Sequence, residues 1–124
     1  MARLAPKAAL AFAVILSGLA LASCGTGGAV ADARQACGYV QRALRIQQQS
    51  ESPGLTNVRR VALENRAIAI LVEATPYAAR ATSIDGSWNP LMTTIGEAQR
   101  VPITDLVASL TRLCKVANSS SPYL

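Results

Sequence analysis

From Asp32 to about Gln49 the apolar positions return every three or four residues. Ala33, Ala36, Cys37, Val40, Ala43 and Leu44 fall on one face of a helix, with Tyr39 and Ile46 at its edge. Arg34, Gln35, Gln41, Arg42, Arg45 and Gln48 fall on the other. A stripe with a 3.6-residue period predicts an amphipathic helix. The segment SESPG then interrupts the pattern at Pro53-Gly54. A second helix is expected from Thr56 or Asn57, either of which can cap it, to about Ala74. It carries two apolar faces. Val58, Val61, Ile68 and Val72 form one, and Leu63, Ala67, Ile70 and Ala74 the other, with Arg59, Arg66 and Glu73 making a narrow polar line at a spacing of seven. Such a helix reads as the central element of a helical core, with a lipid pocket or a dimer seam as the alternatives. The run AIAILV is apolar enough for a buried strand, but its long helical flanks argue for helix. Pro76 is expected to kink or end this helix, leaving YAARATS as a last turn or two.

Asp85-Gly86 marks a turn, after which Ser87 can cap a third helix with Pro90 tolerated in its first turn. Trp88, Leu91, Met92, Ile95 and Gln99 share one face there. A fourth helix follows RVP, with Ile103, Leu106, Val107, Leu110, Leu113, Cys114 and Ala117 on its stripe. Asp105 near its start and Arg112 and Lys115 near its end suit the helix dipole. Cys37 lies near the start of the first helix and Cys114 near the end of the last, both on apolar faces. In an antiparallel arrangement those two ends meet only when the helix count is even, and short connections favour antiparallel neighbours. The expected fold is all-α: a small antiparallel four-helix bundle with one disulfide between the first and last helices, at the end from which the chain enters.

The front of the chain is different. Arg3 and Lys7 precede Ala8 to Ala22, a stretch with no charge, dominated by Ala and Leu. Fifteen residues are too few for a membrane span, which needs about 20, and fit the apolar region of a secretory signal peptide. Two processing sites compete. Ala20-Leu21-Ala22 is an A-x-A site that would release a secreted protein beginning at Ser23. Leu21-Ala22-Ser23-Cys24 resembles the lipobox of bacterial lipoprotein precursors, in which the cysteine becomes the first residue and carries lipid. Cysteine parity favours the second. Cleavage before Ser23 leaves an odd set, Cys24, Cys37 and Cys114, whereas acylation of Cys24 leaves one pair in an oxidising compartment. Beyond the lipobox, the high alanine content and the preference for arginine over lysine resemble small Ala-rich lipoproteins of actinobacteria. The resemblance implies a location and assigns no functional residue. The expected organisation is a signal peptide over 1–23, a lipidated flexible tether over 24–31, a helical domain over 32–118 and a disordered tail over 119–124.

Without residues 1–23 the chain keeps 101 residues and a formal charge of +3, since Arg3 and Lys7 leave with the signal segment. A mildly basic surface suits anionic lipid or wall polymer, but a surface of scattered arginines is the favoured reading. There is no basic run for nucleic acid. Histidine is absent, which removes the side chain most used for proton transfer near neutral pH. The acids are spread along the chain without a pair on one face, and no phosphate-binding loop or metal-ligand spacing occurs. These features point away from an enzyme and to no cofactor or metal. They lead to the expectation of a lipid-anchored interaction module on the outer face of the cell membrane, with a possible envelope protein as partner. The alternative is a carrier of a small apolar or lipid ligand within the bundle. The candidate interaction surface comprises Trp88, Met92, Arg59 and Arg66, although a core tryptophan anchoring its helix is the favoured reading of Trp88.

Overall fold

A computed structural model describes residues 27–122, and within them four α-helices run in alternating directions: α1 (Gly27–Ser50), α2 (Asn57–Ile84), α3 (Asn89–Glu97) and α4 (Val107–Ala117). Short 3-10 turns, Gly86–Trp88 and Ile103–Asp105, lead into α3 and α4. The expected signal peptide, Cys24 and the first part of the expected tether lie outside the described residues.

The first two helices hold 24 and 28 residues and the last two only 9 and 11. At 1.5 Å per residue the long pair reaches about 36 and 42 Å. α1 and α2 form a long antiparallel hairpin, and α3 and α4 pack across one side of it. Small side chains line the hairpin seam. Ala29, Ala33, Ala36, Val40 and Ala43 of α1 are fully buried, as are Ala67, Leu71, Ala74, Ala78 and Ala81 of α2. Their spacing alternates between four and three residues, the repeat that keeps one narrow stripe facing a partner helix. Trp88, Leu91, Ile95, Ile103, Leu110 and Leu113 fill the space between the hairpin and the shorter pair.

Cys37 and Cys114 are joined, with their Cα atoms 5.4 Å apart and a sequence separation of 77. The even helix count inferred from these two cysteines is the observed one. At the same end Arg34 of α1 donates from Nε to the Ala117 carbonyl at 2.7 Å and from Nη2 to the Ser119 carbonyl at 3.1 Å. A cation there satisfies carbonyls that a helix C-terminus leaves without partners. The expected tail over 119–124 is thus tied down at its first residue, whose hydroxyl also donates to the Val116 carbonyl.

Four expectations need correction. The tether does not extend to residue 31: α1 starts at Gly27, because Ala29 and Val30 continue its buried stripe against the end of α2. Gly28 faces the Ile84 side chain there. Pro76 does not end α2, which continues to Ile84. Pro76 and Val72, whose carbonyl loses its partner, lie on the exposed side, where water can serve the freed group. On the other side Ala74, Ala78 and Ala81 stay packed on α1. The cap before α3 is also different. Thr56 caps α2 as expected, its hydroxyl accepting the Arg59 amide, but Asp85 and not Ser87 caps the turn after it, accepting the Ser87 amide. Finally, only one of the two apolar faces of α2 is buried. Val58, Val61 and Val72 are 81, 43 and 45% exposed.

Candidate functional site

The outer side of the α1–α2 hairpin, away from α3 and α4, carries the densest arrangement of aromatic and charged groups. Tyr39 recurs with Arg42 and Ile46 at i+3 and i+7 on α1, so all three stand on one edge of that helix. On α2 Arg66, Ile70, Glu73, Tyr77 and Arg80 recur in the same way. Antiparallel packing brings the two edges together. The Tyr39 and Tyr77 rings stack with centroids 5.5 Å apart and planes inclined by 23°. Arg42 lies over the Tyr39 ring at 4.5 Å and Arg80 over the Tyr77 ring at 4.6 Å. Arg80 also meets Asp32 of α1 at 3.1 Å. Cation–π contacts at exposed sites contribute about 0.5–1 kcal/mol each and an exposed ion pair no more. The ladder therefore orients these side chains more than it stabilises the fold.

Further along the hairpin, towards the loop after α1, Arg42, Arg45 and Arg66 surround a shallow depression of about 230 Å³ together with Gln49, Ile46 and Ile70. The two isoleucines are half-buried against the core and form its apolar part. Arg59 and Glu73 lie one heptad to either side of Arg66 on the same edge of α2. Five arginines and two acids thus occupy this side, Arg42, Arg45, Arg59, Arg66 and Arg80 against Asp32 and Glu73, giving it a formal charge of +3. Arg45 also lines a depression with Glu51 and with Val107 and Thr111 of α4, so it stands at the border of this side, and with Glu51 counted beside it the excess is +2. The hydroxyl of Tyr77 holds the Tyr39 phenol above its ordinary pKa, by side-chain hydrogen bonding and then by charge, with burial adding and Arg42 opposing. Tyr39 is accordingly a neutral donor at physiological pH and does not offset the arginines.

A second depression lies between α1 and α4, beside the disulfide. It measures about 290 Å³ and is lined by Val40, Leu44, Leu110 and Cys114, with Gln41, Thr111, Lys115 and Asn118 also along it. It is a groove open to solvent on the flank of the bundle.

The expected surface of Trp88, Met92, Arg59 and Arg66 does not exist as a unit. Trp88 is 1% exposed, in the core between the hairpin and α3, and is removed from the surface. Met92 is half-buried against that core. Arg59 and Arg66 are exposed, and Arg66 joins Arg42 and Arg45 instead. The residues that sequence reasoning missed are Tyr39, Arg42, Arg45, Tyr77 and Arg80. Their signal was present as i+3, i+4 and i+7 recurrences on the polar flanks of α1 and α2, yet the pairing of those flanks needs the hairpin. Among the described residues no group of three potential metal ligands comes together, and no helix is long and apolar enough to cross a membrane. The chain matches no protein-family model, no curated protein and no solved structure.

Proposed function

We propose that this protein is a lipid-anchored interaction module on the extracytoplasmic face of the bacterial cell membrane, binding rather than converting its partner. The observation that carries the reading is the Cys37–Cys114 cross-link. It uses two of the three cysteines, requires an oxidising compartment, and leaves Cys24 as the cysteine of Leu21-Ala22-Ser23-Cys24. In that reading Cys24 is the first residue of the mature protein and carries the acyl chains. The helical domain then begins three residues later, held close to the bilayer, and the outer side of the α1–α2 hairpin is its working surface.

Metabolic labelling with radioactive palmitate tests the anchor. The wild-type protein should take up label and stay with membranes through a high-salt wash. Cys24→Ala should take up none, and should either remain an uncleaved precursor or appear in the salt-washed soluble fraction. A processed Cys24→Ala protein that resists the salt wash would overturn the reading.

The groove beside the disulfide supports a second reading, a carrier of a small apolar ligand. Its volume lies at the lower edge of the roughly 300–1,000 Å³ of small-molecule sites. Native mass spectrometry of the purified protein separates the two: a co-purified lipid in one-to-one ratio favours the carrier, and a bare chain favours the module.

A further inference from the structure

We infer that the outer side of α1 and α2 is a docking surface for an anionic bilayer, with headgroup phosphates seated among Arg42, Arg45 and Arg66, so that the hairpin lies along the membrane. The anchored reading decides which membrane this is, but the contact itself does not depend on Cys24.

The first argument is charge. This side carries five arginines against Asp32 and Glu73, with Glu51 beside Arg45 at its border, an excess of +2 to +3. A clustered positive surface is attracted to an anionic leaflet and falls away within a Debye length, so a scattered distribution would serve poorly. The second is the chemistry of the groups. Guanidinium forks match phosphate oxygens in pairs. Three of them surround one depression, and none of the three is in an ion pair with an acid among the described residues. Ile46 and Ile70 offer apolar contact beneath, and Tyr39 and Tyr77 lie beside them. Tyrosine and arginine over apolar surface is the composition of groups that settle at headgroup depth.

The third argument is reach. From Cys24 to Gly27 the chain advances three residues, which span at most about 10 Å. A helix of about 10–12 Å diameter lying on its side has its first turn within that distance of the lipid. The same tether would also allow the bundle to stand on its entry end. That end presents Arg34 and Lys115 against Asp85, a net +1, and the Arg34 donors are already taken by the Ala117 and Ser119 carbonyls. Lying flat brings five arginines to the headgroups, and standing brings two cations, one of them with its donors already engaged.

The test uses residues 25–124 exported behind a signal peptide of the non-lipoprotein type, so that neither leader nor acyl chain is present and only the surface is read. It is mixed at low ionic strength with vesicles of phosphatidylcholine, alone or with an equal part of phosphatidylglycerol, and sedimented. Binding should appear only with phosphatidylglycerol and should vanish in high salt. Arg42→Gln/Arg66→Gln should weaken it about 25-fold, fivefold per arginine, which corresponds to about 1 kcal/mol per basic residue at an anionic surface. Arg100→Gln/Arg112→Gln, which removes the same charge elsewhere, should weaken it less than threefold. Both double variants should melt with the parent, so that a loss of binding is not a loss of fold. Three results would each overturn the inference: no binding to the anionic vesicles, equal binding to both compositions, or equal weakening by both double variants. Binding to soluble poly(glycerol phosphate) without binding to vesicles would also overturn it, since the surface would then belong to a wall polymer.

Discussion

Opening the Cys37–Cys114 bond should remove a large share of the stability of this domain. The bond closes a segment of 77 residues. In the chain-entropy treatment a loop of that length is worth about 4.5 kcal/mol at 25 °C. Domains of this size have total stabilities of about 5–15 kcal/mol. The shape of the molecule makes the bond matter further. α4 has 11 residues, and its cross-link and the Arg34 contacts are what fasten it to the first turns of α1. Both cysteines are also buried, so a free thiol pair is held in the core without its bond. At about 4–8 °C per kcal/mol for a domain of this size, reduction should lower the melting temperature by about 20 °C or more. The measurement is circular dichroism at increasing temperature, with and without reductant, on wild type and on Cys37→Ala/Cys114→Ala. The double variant should melt near the reduced wild type and be insensitive to reductant. Urea unfolding should also show a larger denaturant dependence without the bond, because the open chain exposes more surface when unfolded. A drop of less than about 5 °C, with two-state unfolding in both forms, would refute the reasoning: the cross-link would then be closing a chain that remains compact when unfolded.

Other outcomes follow from packing and capping. Leu110→Ala should cost about 2–5 kcal/mol because the side chain is fully buried, while Leu44→Ala, half-buried across the same groove, should cost about half as much, and a double-mutant cycle should show coupling between them. Arg42→Ala, on the outer side, should change stability by about 0.5 kcal/mol or less in thermal melts. Trp88→Ala should cost about 3–5 kcal/mol by chemical denaturation, and small losses would place the indole at the surface after all. Pro76→Ala should stabilise by about 2 kcal/mol, roughly 3 regained in the helix less up to about 1 for the freer unfolded chain. Arg34→Ala should cost about 1 kcal/mol, and hydrogen exchange should speed up in the last turn of α4.

Whatever repeats along a single helix was legible without coordinates. The stripe from Ala33 to Leu44 was read with the correct face, and Leu110, Leu113, Cys114 and Ala117 were placed inward on the last helix as found. Cysteine position and helix direction together required an even number of helices. These are properties of one segment, or of a parity argument that needs no distances. What the tertiary structure decided lies where two segments compete or combine. Pro76 is a strong local stop, yet Ala74, Ala78 and Ala81 gain more from packing on α1 than the lost hydrogen bond costs, and the exposed side of the helix absorbs the defect. Gly27 and Gly28 are weak helix formers, yet Ala29 and Val30 bury themselves against the far end of α2 and draw them into α1. Trp88 and Arg66 were candidates for one surface because each is distinctive along the chain. Folding keeps the tryptophan in the core, the reading its helical stripe favours, and brings Arg66 to Arg42 and Arg45, which come from another helix. The stacked tyrosines arise in the same way. A sequence states the facing of each helix, whereas the partner of each facing depends on which helices lie side by side, and that follows from the burial of the whole chain.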